Sequence, residues 1–298
     1  MDHHGICALC KNSEELKLSH IIPKFVFRYL KKDSFTGKMR MVSNPNISVQ
    51  DGDKAYLLCA ACEELFSGKE TYFSNAIYRP FKEKGFSRLN YDNNNLHYFI
   101  TSVNWRTLYL DLNGFIEEED TENRISSKHL ETLKIAEERM RSYLLNNRND
   151  LDIIENHIFF FDTVKSIKGE ELNDPHSLVQ GSAYGYTVIS KESDSIYVFA
   201  NLTGAIIVTI IKKSKKENWR NTFVKKESGR IRAPQISNSP VFSELLYVEE
   251  ERNNSFSQMS EKQKELIRSK VINNLDKFKE SGSYNRAKKD SSIIRKNK

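Results

Sequence analysis

Residues 6–23, ICALCKNSEELKLSHIIP, and residues 57–63, LLCAACE, decide how this chain is read. They hold all four cysteines of the 298 residues, as two Cys-x-x-Cys pairs, Cys7/Cys10 and Cys59/Cys62. Cysteines used only for packing would scatter through a core. Two close pairs match a tetrahedral structural Zn2+, which takes four thiolates at about 2.3 Å, two from each tight bend. Two redox or incidental pairs are the alternative reading. Between the pairs lies Ser19-His20-Ile21-Ile22-Pro23, a histidine three residues before a proline.

The first pair falls in a loop before a hairpin, and the second where the strand Tyr56-Leu57-Leu58 turns into a helix. Knuckle, hairpin and helix N-terminus, in that order, form the treble-clef arrangement. The intervening stretch, 11–58, is longer than in minimal zinc fingers. Zinc with four sulfurs is coordinatively closed, so the cysteines are read as scaffold and not as a catalytic centre.

Composition sets the outer bounds. Hydrophobic residues make up 38% of the chain and aromatics 11%, which is a globular profile and not a disordered one. No apolar run approaches the roughly 18 residues of a membrane span, and Met1–Cys10 lacks a signal-peptide core. A cytoplasmic protein with reduced thiols and no membrane partner is expected, and there paired cysteines read as metal ligands before disulfides. The net charge of +6 is compatible with nucleic acid without requiring it.

Four segments are expected. Residues 1–80 form the zinc module, with a short helix over Pro23–Lys32, a strand over Gly37–Val42, a turn at Asn44-Pro45-Asn46 and a helix from Ala61 to Tyr78 stopped by Pro80. Residues 81–150 read as helical: Leu96–Leu112 ends at Asn113-Gly114, an acidic loop follows over Glu117–Glu122, and a second helix is capped by Ser126 or Ser127. Residues 151–284 change period. Strands are expected over Asn156–Thr163, Ala183–Ser190, Ser195–Ala200 and Ala205–Lys212, as an antiparallel meander, then a helix over Ser260–Phe278. Residues 285–298 read as a basic tail, with Arg286, Lys288, Lys289, Arg295, Lys296 and Lys298 against Asp290. The fold class is α+β: an N-terminal treble-clef zinc module, a helical middle, and an antiparallel sheet with a C-terminal helix.

The combination of Cys7/Cys10, Ser19-His20-Ile21-Ile22-Pro23 and Leu57-Leu58-Cys59-Ala60-Ala61-Cys62 resembles the HNH endonuclease family over residues 5–80. The full set, with Gln50-Asp51-Gly52 and Cys62-Glu63, is similar to an uncharacterised bacterial subgroup of it. The resemblance implies a ββα-metal active site beside the zinc, in which a histidine acts as general base and one Mg2+ or Mn2+ holds the scissile phosphate. His20 aligns with the base, and imidazole, with a pKa near 6.5, suits that task. Three positions depart from the family. Ser19 stands where an acid or histidine is common, Glu63 replaces a histidine after the second cysteine pair, and Lys54 replaces an asparagine. Glu63 can ligate a hard cation, and Asp51 could supply the missing carboxylate. Glu70 lies two helical turns beyond Glu63, on the same stripe.

The function these residues imply is hydrolysis of phosphodiester bonds in DNA, with RNA second, using His20, Glu63 and Asp51. A catalytically silent zinc module binding nucleic acid or a protein partner is the alternative, and a thiol-based redox or zinc-sensing switch is a third. The β-rich segment carries no nucleotide fingerprint and could serve a protein partner. His3 and His4 read as a frayed terminus, and His97, His129, His157 and His176 as structural residues without a nearby acid. Trp105 and Trp219 read as core or sheet-face residues, and Lys212, Lys213, Lys215 and Lys216 as a solvated loop.

Overall fold

The computed structural model describes residues 3–117, 125–161, 164–167 and 172–294. It opens with β1 (His4–Ile6) and β2 (Ser13–His20), an antiparallel pair in which His4 faces Glu15. The bend between them is closed by the Cys7 N–H on the Asn12 carbonyl at 2.9 Å. Lys11 takes a φ of 64°, the left-handed conformation such a reversal needs. Next come α1 (Lys24–Asp33), the hairpin of β3 (Met39–Met41) and β4 (Asn44–Val49), then β5 (Lys54–Cys59), which pairs with β2. The first sheet therefore has the order β1-β2-β5. α2 (Ala60–Tyr72) starts directly from Cys59. His3 and His4 are not frayed: His4 lies in β1, the His3 carbonyl accepts from Leu16, and the His3 ring stacks on Tyr56 at 3.6 Å.

Two local expectations change here. Asn44-Pro45-Asn46 begins β4, and the turn sits one step earlier, at Val42 and Ser43. Pro80 does not stop the helix. α2 passes through a π-helical segment, Phe73–Tyr78, into α3 (Arg79–Lys84), and Pro80 occupies the first turn of α3. The first turn is where a missing N–H is tolerated, and the wider π spacing gives the backbone room to shift register.

β6 (Arg88–Tyr91) leads into α4 (Asn95–Glu117), the centre of the molecule. Every residue from Leu96 to Leu108 is buried. A helix apolar all round belongs inside a protein, not on its surface. Several of its polar members bond within the core: the Asn104 amide donates to Thr209 at 2.7 Å, and Asn156 donates to Thr101 at 2.8 Å. α4 runs past Gly114, because continuing the helix carries Phe115 onto the core. Of the expected acidic loop, Glu117 ends α4 and 118–122 lie outside the described residues. α5 (Ser127–Leu144) begins at its expected cap, Ser126 Oγ accepting from the His129 N–H at 3.2 Å.

The remaining elements are β7 (Glu155–Phe160), β8 (Val164–Ile167), α6 (Pro175–Gln180), β9 (Ala183–Ser190), β10 (Ser195–Leu202), β11 (Ala205–Lys212), β12 (Trp219–Arg220), β13 (Gly229–Arg232), β14 (Gln235–Ser237), α7 (Glu244–Ser257), α8 (Glu261–Ile272), α9 (Leu275–Glu280) and α10 (Gly282–Ile294). The main sheet has the order β7-β11-β10-β9 and is antiparallel throughout. β10 and the apolar run Ala205–Ile211 of β11 are buried on both faces. One face packs on α4; the other is covered by α6, the turn Pro240–Ser243 and α7. The expected helix over Ser260–Phe278 breaks at Asn273 and Asn274 into α8 and α9. α7 was not anticipated, and residues 285–294 of the expected tail are the body of helix α10. Arg295, Lys296 and Lys298 lie outside the described residues.

The whole is mixed helix and sheet with a cysteine cluster near the N-terminus. The expected segments 1–80, 81–150 and 151–284 share one apolar cluster. Leu57, Leu58 and Phe66 from the cysteine-bearing part meet Trp105 and Leu108 of α4, Leu133 and Met140 of α5, and Val198 of β10. Each such buried side chain is worth about 1.5–3 kcal/mol. No helix among the described residues is long and apolar enough to cross a membrane.

Candidate metal centre and the His20 site

The bend between β1 and β2 presents Cys7 and Cys10. The end of β5 presents Cys59, and the first turn of α2 presents Cys62. The four sulfurs all lie within 4.8 Å of one another, and Cys10 Sγ is 3.9 Å from Cys59 Sγ. None of the cysteines is in a disulfide. A tetrahedron with metal–sulfur bonds of about 2.3 Å has edges of about 3.8 Å. The four cysteines could therefore bind one metal ion.

Their electrostatics point the same way. Burial pushes the Cys7 thiol up, but backbone N–H groups of Cys59, Cys10 and Leu9 outweigh it and bring Cys7 down to about 7. Burial raises Cys62 far above the ordinary thiol range, and the other cysteine sulfurs around it raise it further. Burial also raises Cys10. Without a cation Cys7 ionises readily while Cys10 and Cys62 resist it; a bound divalent ion favours the thiolate form of its ligands.

His20 closes β2, opposite Lys54 of β5. Its Nε2 is 2.8 Å from Asp51 Oδ2. The His20 side chain is 17% exposed, so the ring is packed yet reaches solvent. Asp51 also receives Lys54 Nζ on Oδ2 at 3.2 Å and the Gly52 N–H on Oδ1 at 3.1 Å. Burial raises the Asp51 carboxyl, but these hydrogen bonds, that of His20 foremost, bring it to about 2. Asp51 is thus a partner of His20, with both oxygens already engaged.

Ser19 is turned inward, 1% exposed, with its hydroxyl donating to the Lys17 carbonyl at 3.3 Å. Glu63 is half-buried, and its Oε1 is buried without a hydrogen-bond partner among the described residues. Among the described residues the four cysteines are the one cluster of three or more His, Cys, Asp or Glu donors, so Glu63 does not join His20 and Asp51 in a tight triad. Glu70 is occupied elsewhere, accepting from Arg106 Nη2 at 2.7 Å.

Arg106 is the residue that sequence reading missed. Its guanidinium, 2% exposed, donates to the His20 carbonyl at 2.7 Å and to the Ser102 carbonyl at 3.3 Å while pairing with Glu70. It also lies over the Phe66 ring, 5.3 Å from the centroid. One side chain therefore ties the end of β2 to α2 through the central helix. The signal was present: Arg106 is the single Lys, Arg, Asp or Glu between Leu96 and Leu110. A lone charge in a buried helix must have a partner.

The other histidines are structural, but not without acids. His129 Nε2 is 3.1 Å from Asp194, and His157 Nε2 is 3.2 Å from Glu155, its same-face neighbour in β7. His97 is buried against the Tyr143 hydroxyl at 2.9 Å, and burial lowers it to about 4. Trp105 is fully buried, and Trp219 is half-buried on the sheet face. Lys212 pairs with Asp194 and Lys213 with Glu155; Lys215 and Lys216 are exposed, as expected for a loop.

Comparison of the chain with protein-family models, with curated proteins and with solved structures found no match.

Proposed function

We propose that the chain is an HNH-like, metal-dependent endonuclease in which a treble-clef zinc module carries the hydrolytic site. The observation that carries this reading is the 2.8 Å hydrogen bond between His20 and Asp51 at the end of β2, one strand away from the cysteine cluster. A histidine whose second nitrogen faces a carboxylate is oriented and held in one tautomer.

His20 would take the proton of a water molecule attacking a phosphodiester, using Nδ1, which has no hydrogen-bond partner among the described residues. Asp51 would stabilise the imidazolium that forms. Arg106 would keep the backbone of His20 in place. Zinc at the four cysteines would supply a closed cross-link between the β1–β2 bend and α2, and no chemistry. Glu63 is the residue suited to hold Mg2+ or Mn2+, since its buried oxygen lacks a protein donor and such ions use one or two carboxylates plus substrate phosphates. That ion would supply charge stabilisation at the phosphate and leaving oxygen. DNA is the first substrate to try and RNA the second.

Purified protein should nick nucleic acid with magnesium or manganese. His20→Ala should abolish nicking and leave zinc content unchanged. Identical behaviour of wild type and His20→Ala on DNA and RNA would sink the reading.

The inward Ser19 and the separation of Glu63 from His20 favour a second reading, a zinc module that binds nucleic acid or a protein without cutting. Salt-dependent nucleic-acid binding that is indifferent to magnesium, with no cleavage, would distinguish it.

A further inference from the structure

Outside the cysteine-bearing sheet, β6 and β13 form a two-stranded antiparallel ribbon whose faces differ in kind. Leu89 lies opposite Ile231, and Tyr91 opposite Gly229. Ile231 and Tyr91 are buried, and Leu89 packs with them in the cluster that holds Phe99 and Phe160. Alternation then turns Arg88, Asn90, Arg230 and Arg232 to the other face, and all four are exposed. Arg88 is directly opposite Arg232, and Arg230 opposite Asn90. Like charges directly opposite on one face of a ribbon destabilise it. No acid relieves them: none of the three arginines is in an ion pair among the described residues. A bound polyanion would.

Two of the arginines are held by neutral amides. Arg230 donates through Nε to Asn90 Oδ1 at 3.1 Å, and Arg232 through Nε to Asn221 Oδ1 at 3.3 Å. The Asn221 carboxamide is itself fixed, its Nδ2 donating to the Pro234 carbonyl at 2.7 Å. Holding Nε orients each guanidinium and leaves its two terminal nitrogens without an acceptor among the described residues. Such a fork matches the paired oxygens of a phosphate. Arg230 and Arg232 are about 6.7 Å apart along β13, close to one nucleotide step of an extended strand.

An aromatic ring lies on the same side. Thr222 and Val224 are buried, so Phe223 between them points outward, as Asn221 does. Asn221 reaches Arg232, which sets this outer side beside the arginine face. Phe223 is 47% exposed and touches the His157 ring, with centroids 5.6 Å apart. An exposed ring beside arginine forks can stack a base while the forks hold the phosphates around it. An acidic peptide would use the arginines and leave the ring idle, and a duplex keeps its base faces out of reach.

We infer that the outer face of the β6–β13 ribbon, with Phe223, binds single-stranded nucleic acid, its phosphates held by Arg88, Arg230 and Arg232 and a base stacked on Phe223. The inference goes beyond the hydrolytic reading: it concerns binding alone and stands whether or not His20 cuts.

The test is fluorescence anisotropy of labelled oligothymidylate, titrated with the full metal-loaded chain over a series of salt concentrations. Magnesium is left out, so binding is read apart from nicking and the two readings fail separately. Saturable binding that weakens with salt is expected. Combining Arg88→Gln, Arg230→Gln and Arg232→Gln should lower the slope of log K against log salt by about 2, at about 0.7 for each phosphate contact on a single strand. These side chains are exposed and the combination removes a like-charge pair, so the thermal midpoint should not fall. Phe223→Ala should weaken binding about tenfold and leave the slope alone, and Phe223→Tyr should retain affinity. Lys262→Gln, at an exposed cation of α8, is the control. No saturable binding, a slope unchanged in the triple variant, or an affinity unchanged in Phe223→Ala overturns the inference. So does tighter binding of a duplex, which would assign a double-stranded partner, or displacement by polyglutamate as effective as by unlabelled oligothymidylate, which would assign an acidic protein.

Discussion

Arg106→Met removes a buried guanidinium while keeping a long side chain against Phe66. In the wild type that group makes a charged bond to Glu70 at 2.7 Å and a bond to the His20 carbonyl at 2.7 Å. The first is worth about 1.5–3 kcal/mol. Loss of the second leaves a packed carbonyl without its donor, a penalty of about 1–3 kcal/mol. Together they sum to about 2.5–6 kcal/mol, which brackets the roughly 3–5 kcal/mol for breaking a buried ion pair from one side. Glu70→Gln, with its carboxyl 23% exposed, should lose less, about 1–2 kcal/mol. The double variant should fall short of the sum, with a coupling of about 1–3 kcal/mol. Urea denaturation of the metal-loaded protein, followed by fluorescence, measures all three. Trp105 reports directly, since it adjoins Arg106 and packs edge-on against Phe66. A loss below about 1 kcal/mol for Arg106→Met, or strictly additive single variants, would refute the idea that Arg106 ties β2 to α2.

Three further outcomes are expected. Cys62→Ser should abolish stoichiometric zinc by elemental analysis and destabilise the chain by several kcal/mol, because a site with three thiolates loses its closed tetrahedron. Asp51 has a folded pKa of about 2 against an ordinary 3.8, so its pairing stabilises the fold above pH 4 and is lost as the pH falls toward 2. The contribution is about 2 kcal/mol, and Asp51→Asn should flatten that limb of a stability–pH curve. Asp290→Ala leaves two N–H groups of α6 without an acceptor and should cost about 2 kcal/mol, with faster hydrogen exchange at His176 and Ser177.

Much of the local structure was legible in the chain. β9 and β11 fall at their expected bounds, because alternation and apolar runs bracketed by turn residues report burial directly. The caps Ser126 and Ser260 work as expected, since a cap binds a backbone group three residues away. Where local signals misled, a distant contact had overruled them. Gly114 reads as a stop, yet Phe115 is carried on to the core; Pro80 reads as a stop, yet the π segment absorbs it. Residues 285–294 read as tail because their charges are exposed in sequence, whereas Asp290 and Arg286 anchor them to α6 and α1.

The candidate sites divide in the same way. By itself the sequence singled out the four cysteines as one group that could hold a metal, because two Cys-x-x-Cys bends each carry their own geometry and need only be brought together. It also singled out His20 and Asp51, without saying that they touch. Tertiary structure decided that Asp51 is spent on His20, that Glu70 belongs to Arg106 and not to Glu63, and that Arg286 of α10 pairs with Asp33 of α1. Those pairings join residues far apart in the chain, and no local spacing encodes which buried charge will find which partner. The packing of α4 against everything else does.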